Sequence, residues 1–169
     1  MSGRKGFMAS LASGKTGENL IKRLLESAGY SVHQKTGEFA AYDLSIEPLG
    51  VTLEVKYDDK SHFTGNLAFE LYNTKSNKFS GVLGTRATFW VHVLPDKSVW
   101  LSHSETLRNI LDKVVLAWYD GFITFGGDDN SLMLIIKKDT ILPYFTRIDG
   151  LEPADVKRIF ESGELSGKK

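Results

Sequence analysis

The segment 51–57 alternates without interruption between apolar and polar side chains. Successive side chains of a β-strand point to opposite faces, so this pattern predicts a strand with one face in the core and one polar face. The polar face carries three side chains in a row: Thr52, Glu54 and Lys56. The chain must therefore fold around a sheet that presents Glu54 and Lys56 side by side, away from the core.

The preceding segment presents a second acid in the same way. Residues 41–47 alternate too, with Asp43 on the polar face, and the turn-forming residues 48–50 join the two segments. Neighbouring strands lie about 4.8 Å apart, so Asp43 and Glu54 can contact one ion. A further strand is predicted at residues 66–73, and its non-core face offers Glu70.

The remaining patterns predict an α/β (α+β) domain with a mixed central sheet flanked by helices. Apolar residues at helical spacing predict a first helix over residues 16–28, ended by Gly29. The other predicted elements are a strand over 30–35, a hairpin over 89–102, a helix over 104–119, a second hairpin over 121–138 and a short terminal helix over 153–161.

Composition limits the class of protein. The 169 residues suit a single domain over 14–161, with a flexible N-terminus at 1–13 and a flexible tail at 162–169. No run of about 18 apolar residues predicts a membrane span. The absence of cysteine excludes disulfides and thiolate metal sites and favours a cytoplasmic, reducing setting.

Two carboxylates and an ammonium on adjacent strands suit metal-dependent phosphodiester hydrolysis. Mg²⁺ prefers oxygen ligands and keeps several waters, so one or two carboxylates are enough to hold it. Lys56 follows Glu54 by roughly 6.6 Å along the same strand face, where an ammonium can stabilise charge on a phosphate. Glu18 heads the buried stripe of the first helix, and facing this site would explain its position.

Basic residues provide candidate contacts to phosphates. The formal net charge is zero, whereas nucleic-acid enzymes are often basic, but several bases cluster ahead of the first strand acid. Such groups neutralise phosphates without reading sequence. The candidates are Lys15, Lys22, Arg23, Lys35, Lys75, Lys78 and Arg86.

The motif Asp43…Glu54-Val55-Lys56, preceded by Glu18 on a helix, resembles the PD-(D/E)XK nuclease superfamily over roughly residues 14–103. Tyr42 stands where that family has proline. The resemblance implies an αβββαβ restriction-endonuclease-like core and DNA cleavage that depends on Mg²⁺ or Mn²⁺. It also implies metal binding by Asp43, Glu54 and Glu18, with the Val55 carbonyl as a further ligand, a charge-stabilising Lys56 and Glu70 as an auxiliary acid.

Several functions remain open within and beyond this resemblance. The leading helix glutamate resembles Holliday-junction resolvases, which would act on branched DNA as a homodimer. Residues 64–70, 80–82 and 89–91 are similar to small phage-encoded nucleases, and a site-specific homing or restriction-type endonuclease is the alternative. A non-catalytic DNA-binding module and a small-molecule phosphoesterase are the hypotheses from other classes. Residues 121–161 match nothing in the superfamily, and their role is open.

Overall fold

The chain folds into two β-sheets with helices packed against them. The computed structural model describes residues 3–35, 41–116, 123–126 and 130–167. The helices are α1 (Gly3–Ser27), α2 (Ser61–Thr64), α3 (Gly81–Gly84), α4 (Ser104–Leu116), α5 (Lys138–Ile141) and α6 (Pro153–Ser162), with a short 3₁₀ helix at Leu142–Tyr144. The strands are β1 (Ser31–Gln34), β2 (Leu44–Glu47), β3 (Val51–Tyr57), β4 (Asn66–Asn73), β5 (Lys78–Phe79), β6 (Phe89–Val93), β7 (Val99–His103), β8 (Ile123–Gly126), β9 (Ser131–Lys137) and β10 (Thr146–Arg147).

The central sheet has six strands in the order β1-β2-β3-β6-β7-β10. β3 and β6 run parallel and the other neighbours run antiparallel, so the sheet is mixed, as predicted. One face packs on α1 and α6, where Ile21, Leu25, Leu53 and Val55 are buried together. The alternation read from residues 51–57 therefore holds, and Glu54 lies on the opposite face.

A second sheet has the order β5-β4-β9-β8. β4 therefore belongs to this sheet and not to the central one, although its predicted boundaries are correct. The reason is that Leu67 and Phe69 are buried in a separate apolar cluster, together with Trp90 and the α4 residue Leu107. The crossover that parallel β3 and β6 require thus contains β4 and β5 as well as the four-residue helices α2 and α3.

Most predicted elements are confirmed, and two boundaries are wrong. α1 begins at Gly3 and not near residue 16, since residues 7–12 are rich in strong helix formers despite the glycine and serine around them. β2 begins at Leu44 and not at residue 41. Gly29, with φ of +88°, follows the last turn of α1, as predicted. Residues 117–119 of the predicted helix over 104–119, and residues 121–122 and 127–129 of the predicted hairpin over 121–138, lie outside the described residues.

Within the described ranges, no helix is both long and apolar enough to cross a membrane. The division of the chain into a domain and two flexible ends stays a prediction.

Candidate active site

Asp43 lies where β2 parts from β3. The Asp43 amide donates to the Leu53 carbonyl at 2.9 Å, and Leu44 with Leu53 is the outermost register pair of the two strands at this end. Beyond this point the Val55 amide has no strand partner on that side and donates to Asp43 Oδ2 at 2.7 Å. The carboxylate thus replaces a ladder hydrogen bond, which fixes it in the opening between the strands.

Glu54 is half-buried, and its carboxylate is held by Thr85, a residue that no sequence pattern indicated. Thr85 Oγ1 donates to Glu54 Oε2 at 3.0 Å, directly after α3. The next residue, Arg86, donates its amide to the Ala41 carbonyl at 3.1 Å. The segment after α3 therefore fixes both the glutamate and the chain that leads into Asp43. A lone threonine in a loop carries no sequence signal of this role.

The two carboxylates have strongly perturbed acidities. Burial raises the pKa of Asp43 from 3.8 to about 6, and the charge of Glu18 adds to the rise. Burial, followed by the charge of Asp43, raises the pKa of Glu54 from 4.5 to about 7. Glu70 contributes in the same direction, while Lys56 lowers the pKa of both groups. Both pKa values are thus raised mainly by burial and further by neighbouring acids, a feature typical of functional sites.

Lys56 lies at the centre of these charges. It is half-buried and lines a cleft of about 290 Å³ together with Val55, Asp58 and Ala68. Its positive charge acts on Asp43, Glu54 and Asp58. The ammonium is therefore shared among three carboxylates and points into a cleft that a ligand can enter.

Asp58 is a buried acid that the sequence analysis missed, although it continues the polar alternation of Glu54 and Lys56. Its carboxylate accepts the Ser61 amide at 3.2 Å and the Ala68 amide at 3.0 Å. Its own amide donates to the Val93 carbonyl at 3.0 Å, which continues the pairing of β3 with β6. Burial raises the pKa of Asp58. This side chain ties the central sheet to β4 beside Lys56.

Asp58→Ala is expected to lower the free energy of unfolding by on the order of 2 kcal/mol, because it leaves the Ala68 amide without its acceptor and the Ser61 amide with only a 3.4 Å bond to the Asp58 carbonyl. Urea denaturation followed by circular dichroism measures the loss. The exposed neighbour Asp59 provides the control, since Asp59→Ala removes a charge of the same sign without removing these bonds. Equal stability of the two variants would show that Asp58 does not tie the sheets together.

Glu18 and Glu70 flank the pair in different ways. Gln34 on β1 donates its side-chain amide to the Glu18 carboxylate, a partner that the sequence analysis did not identify. Ser80 Oγ donates to Glu70 Oε1 at 2.8 Å, so Glu70 reaches the site from the second sheet. Among the described residues, no group of three or more histidine, aspartate and glutamate side chains is arranged to hold a metal ion. The roles assigned to these acids stay predictions.

Two of the candidate phosphate-binding bases converge on the site. Lys78 and Arg86 line a cleft of about 490 Å³ that also contains Glu54, Thr85 and Ser80. The other five bases are not among the described residues that line it. Lys22 forms an ion pair with Glu26 at 3.8 Å, and Lys35 lies over the Tyr42 ring at 5.4 Å, whereas Lys15, Arg23 and Lys75 are exposed elsewhere.

Comparison with known proteins supports the fold. No protein-family model matches the chain, and no curated protein matches it in sequence. The fold is similar to that of a bacterial homing endonuclease, I-Ssp6803I, with a TM-score of 0.51 and 16% sequence identity. The match covers 91% of this chain and 95% of the other, and so extends well beyond residues 14–103, to which the motif resemblance is confined. At this identity the similarity concerns the fold.

Proposed function

We propose that the protein is a metal-dependent DNA endonuclease of the PD-(D/E)XK type. The observation that carries this proposal is the pair of acids at the opening between β2 and β3. Asp43 and Glu54 are fixed by hydrogen bonds from Val55 and Thr85, both have raised pKa values, and both lie within electrostatic reach of Lys56. The similarity of fold to a homing endonuclease supports the same reading.

The acids fit Mg²⁺ or Mn²⁺ as the cofactor. Two carboxylates that repel each other would lose that repulsion on binding a divalent cation, and Mg²⁺ needs no more than one or two carboxylates beside its waters. Asp43 and Glu54 would hold the ion, with the Val55 carbonyl as a further ligand and Glu18 acting directly or through a water. The bound ion would polarise the scissile phosphate and lower the pKa of a bound water.

The other residues of the site have complementary tasks. Lys56 positions the attacking water and stabilises the charge that develops on the phosphate. Thr85 keeps the Glu54 carboxylate in place, and Glu70 acts as an auxiliary acid. Lys78 and Arg86 in the adjoining cleft neutralise neighbouring phosphates of the bound strand.

Two kinds of DNA substrate follow from different observations. Glu18 on the leading helix favours a junction resolvase, which would act on branched DNA as a homodimer. The fold similarity to I-Ssp6803I favours a site-specific endonuclease that cuts linear duplex DNA. A DNA-binding module without catalysis is disfavoured, because it would have no need for two mutually repelling acids beside a lysine.

The test is cleavage of supercoiled plasmid, a four-way junction and a library of randomised linear duplexes, each with Mg²⁺, Mn²⁺ or EDTA. We expect metal-dependent cleavage that Glu54→Ala abolishes. Symmetric nicking of the junction would identify a resolvase, and enrichment of one cut sequence from the library would identify a site-specific enzyme. DNA binding without cleavage of any substrate would refute the nuclease and favour the binding module. Cleavage of nucleotide-sized phosphoesters without affinity for DNA would favour the phosphoesterase.

A further inference from the structure

His92 on β6 is a fully buried histidine in aromatic surroundings. Its ring lies 5.0 Å from that of Phe69, 5.8 Å from that of Trp90 and 6.0 Å from that of Phe145, measured between centroids. Neither ring nitrogen has a hydrogen-bond partner among the atoms that the structure describes. Burial, followed by the charge of Lys56, lowers the pKa of His92 to about 3, so the ring is neutral near pH 7.

A histidine in this position destabilises the fold. A buried polar group without a partner loses its hydration and receives nothing in return, so an apolar side chain of similar size would stabilise the protein. The neighbouring Phe69 and Phe145 show that the cluster accepts apolar rings. An imidazole here needs a reason other than packing.

Lys56 supplies that reason. In the parallel pairing of β3 with β6, Lys56 and His92 are register partners, so the two side chains lie next to each other on the same face of the sheet. A neutral imidazole has one nitrogen that accepts hydrogen bonds, whereas an ammonium group only donates them. The Ala68 backbone lies close enough to favour an N–H on the other nitrogen.

We propose that His92 is a positioning residue for Lys56: its neutral ring presents a buried acceptor beside the ammonium, which the ammonium engages when it takes the orientation that the phosphate requires. The inference rests on the proposed nuclease function. It assigns a purpose to a buried polar group that the fold would otherwise be better without. Because His92 is buried and contacts no substrate, its effect on the reaction passes entirely through Lys56.

The test replaces His92 with leucine and, separately, with phenylalanine. We expect both variants to fold with unchanged or higher Tm and to bind DNA with unchanged affinity. The single-turnover cleavage rate should fall at least about tenfold, the scale of loss when a residue that orients a functional side chain without contacting the substrate is removed. His92→Gln keeps an acceptor and should recover part of the rate. A wild-type rate in either apolar variant, or unfolding of both, would overturn the proposal.

Ser104 provides the matched control, because its hydroxyl is also buried and without a described partner but belongs to α4. Ser104→Ala should leave the cleavage rate unchanged. A second readout needs no DNA: the ¹³C NMR signal of reductively methylated Lys56 should shift in His92→Leu and stay in place in Ser104→Ala. If the wild-type protein cleaves nothing, the proposed function fails whatever this signal does. If it cleaves and the Lys56 signal does not shift, only the role of His92 fails.

Discussion

Lys56→Ala is expected to slow metal-dependent DNA cleavage at least about a hundredfold, the scale seen when a charge-stabilising group is lost from an active site. The fold should be kept, because the lysine side chain is half-buried and lines a cleft. Asp43→Ala and Glu54→Ala should reduce cleavage on the same scale. Single-turnover cleavage of the best substrate, with thermal unfolding of each variant, measures both properties.

Two further variants sharpen this test. Lys60 is exposed and also lines the Lys56 cleft, so Lys60→Ala removes a nearby positive charge without removing the proposed catalytic one. Only a small loss, carried by weaker DNA binding, is expected from it. Lys56→Arg keeps the charge but replaces a compact ammonium by a planar guanidinium, and should recover little activity. The mechanism is wrong if Lys56→Ala cleaves like the wild type.

Glu54→Gln is expected to make the metal-free protein more stable while abolishing cleavage. Folding raises the pKa of Glu54 from 4.5 to about 7. The folded protein therefore binds the proton of the Glu54 carboxyl group more tightly than the unfolded chain does. The destabilisation caused by ionising Glu54 in the folded protein is absent below about pH 4.5. It grows as the pH rises from there to about 7 and is complete at higher pH. At about pH 8 the gain in stability should be on the order of 2 kcal/mol. Glutamine can still accept the Thr85 hydrogen bond.

Thermal unfolding near pH 5 and near pH 8, with and without Mg²⁺, separates the two parts of this expectation. At the higher pH the Tm of metal-free Glu54→Gln should exceed that of the wild type by roughly 4 °C or more, and near pH 5 the difference should shrink. Mg²⁺ should raise the Tm of the wild type and not that of the variant. Glu26→Gln, which changes an exposed pair with Lys22, is the control and should alter little. A lower Tm for Glu54→Gln than for the wild type at pH 8 would contradict the proposal that the ionised Glu54 carboxylate destabilises the folded state.

The parts of the fold that depend on local patterns could be predicted from the sequence. Strict alternation defined β3 and β4 to the residue, and it placed Glu54 and Lys56 together on one face. The start of α1 was missed because scattered glycines and serines obscure a helical segment that tolerates them. The partner of β4 could not be read from its own residues, since β9 lies some sixty positions further along the chain.

The same distinction between local sequence patterns and long-range contacts applies to the candidate site. Residues of the motif could be singled out as candidates because their spacing is local. Gln34, Asp58 and Thr85 were missed because the side chain of each forms its hydrogen bond with another segment of the chain, and a single polar residue gives no indication of that partner. Of these, Asp58 alone had a local signal, as the next polar position after Lys56.

The insertion of β4 and β5 between two parallel neighbours has a consequence for the order in which the protein folds. Pairing of β3 with β6 has to close the loop formed by this crossover, and β4 within the crossover finds its main partner in β9, far along the chain. Contacts so far apart in sequence are slow to form, because loop closure must precede them. The β2–β3 hairpin can bring Asp43 and Glu54 together early, but the Thr85 hydrogen bond that fixes Glu54 forms only after the crossover has folded, so the site is completed late.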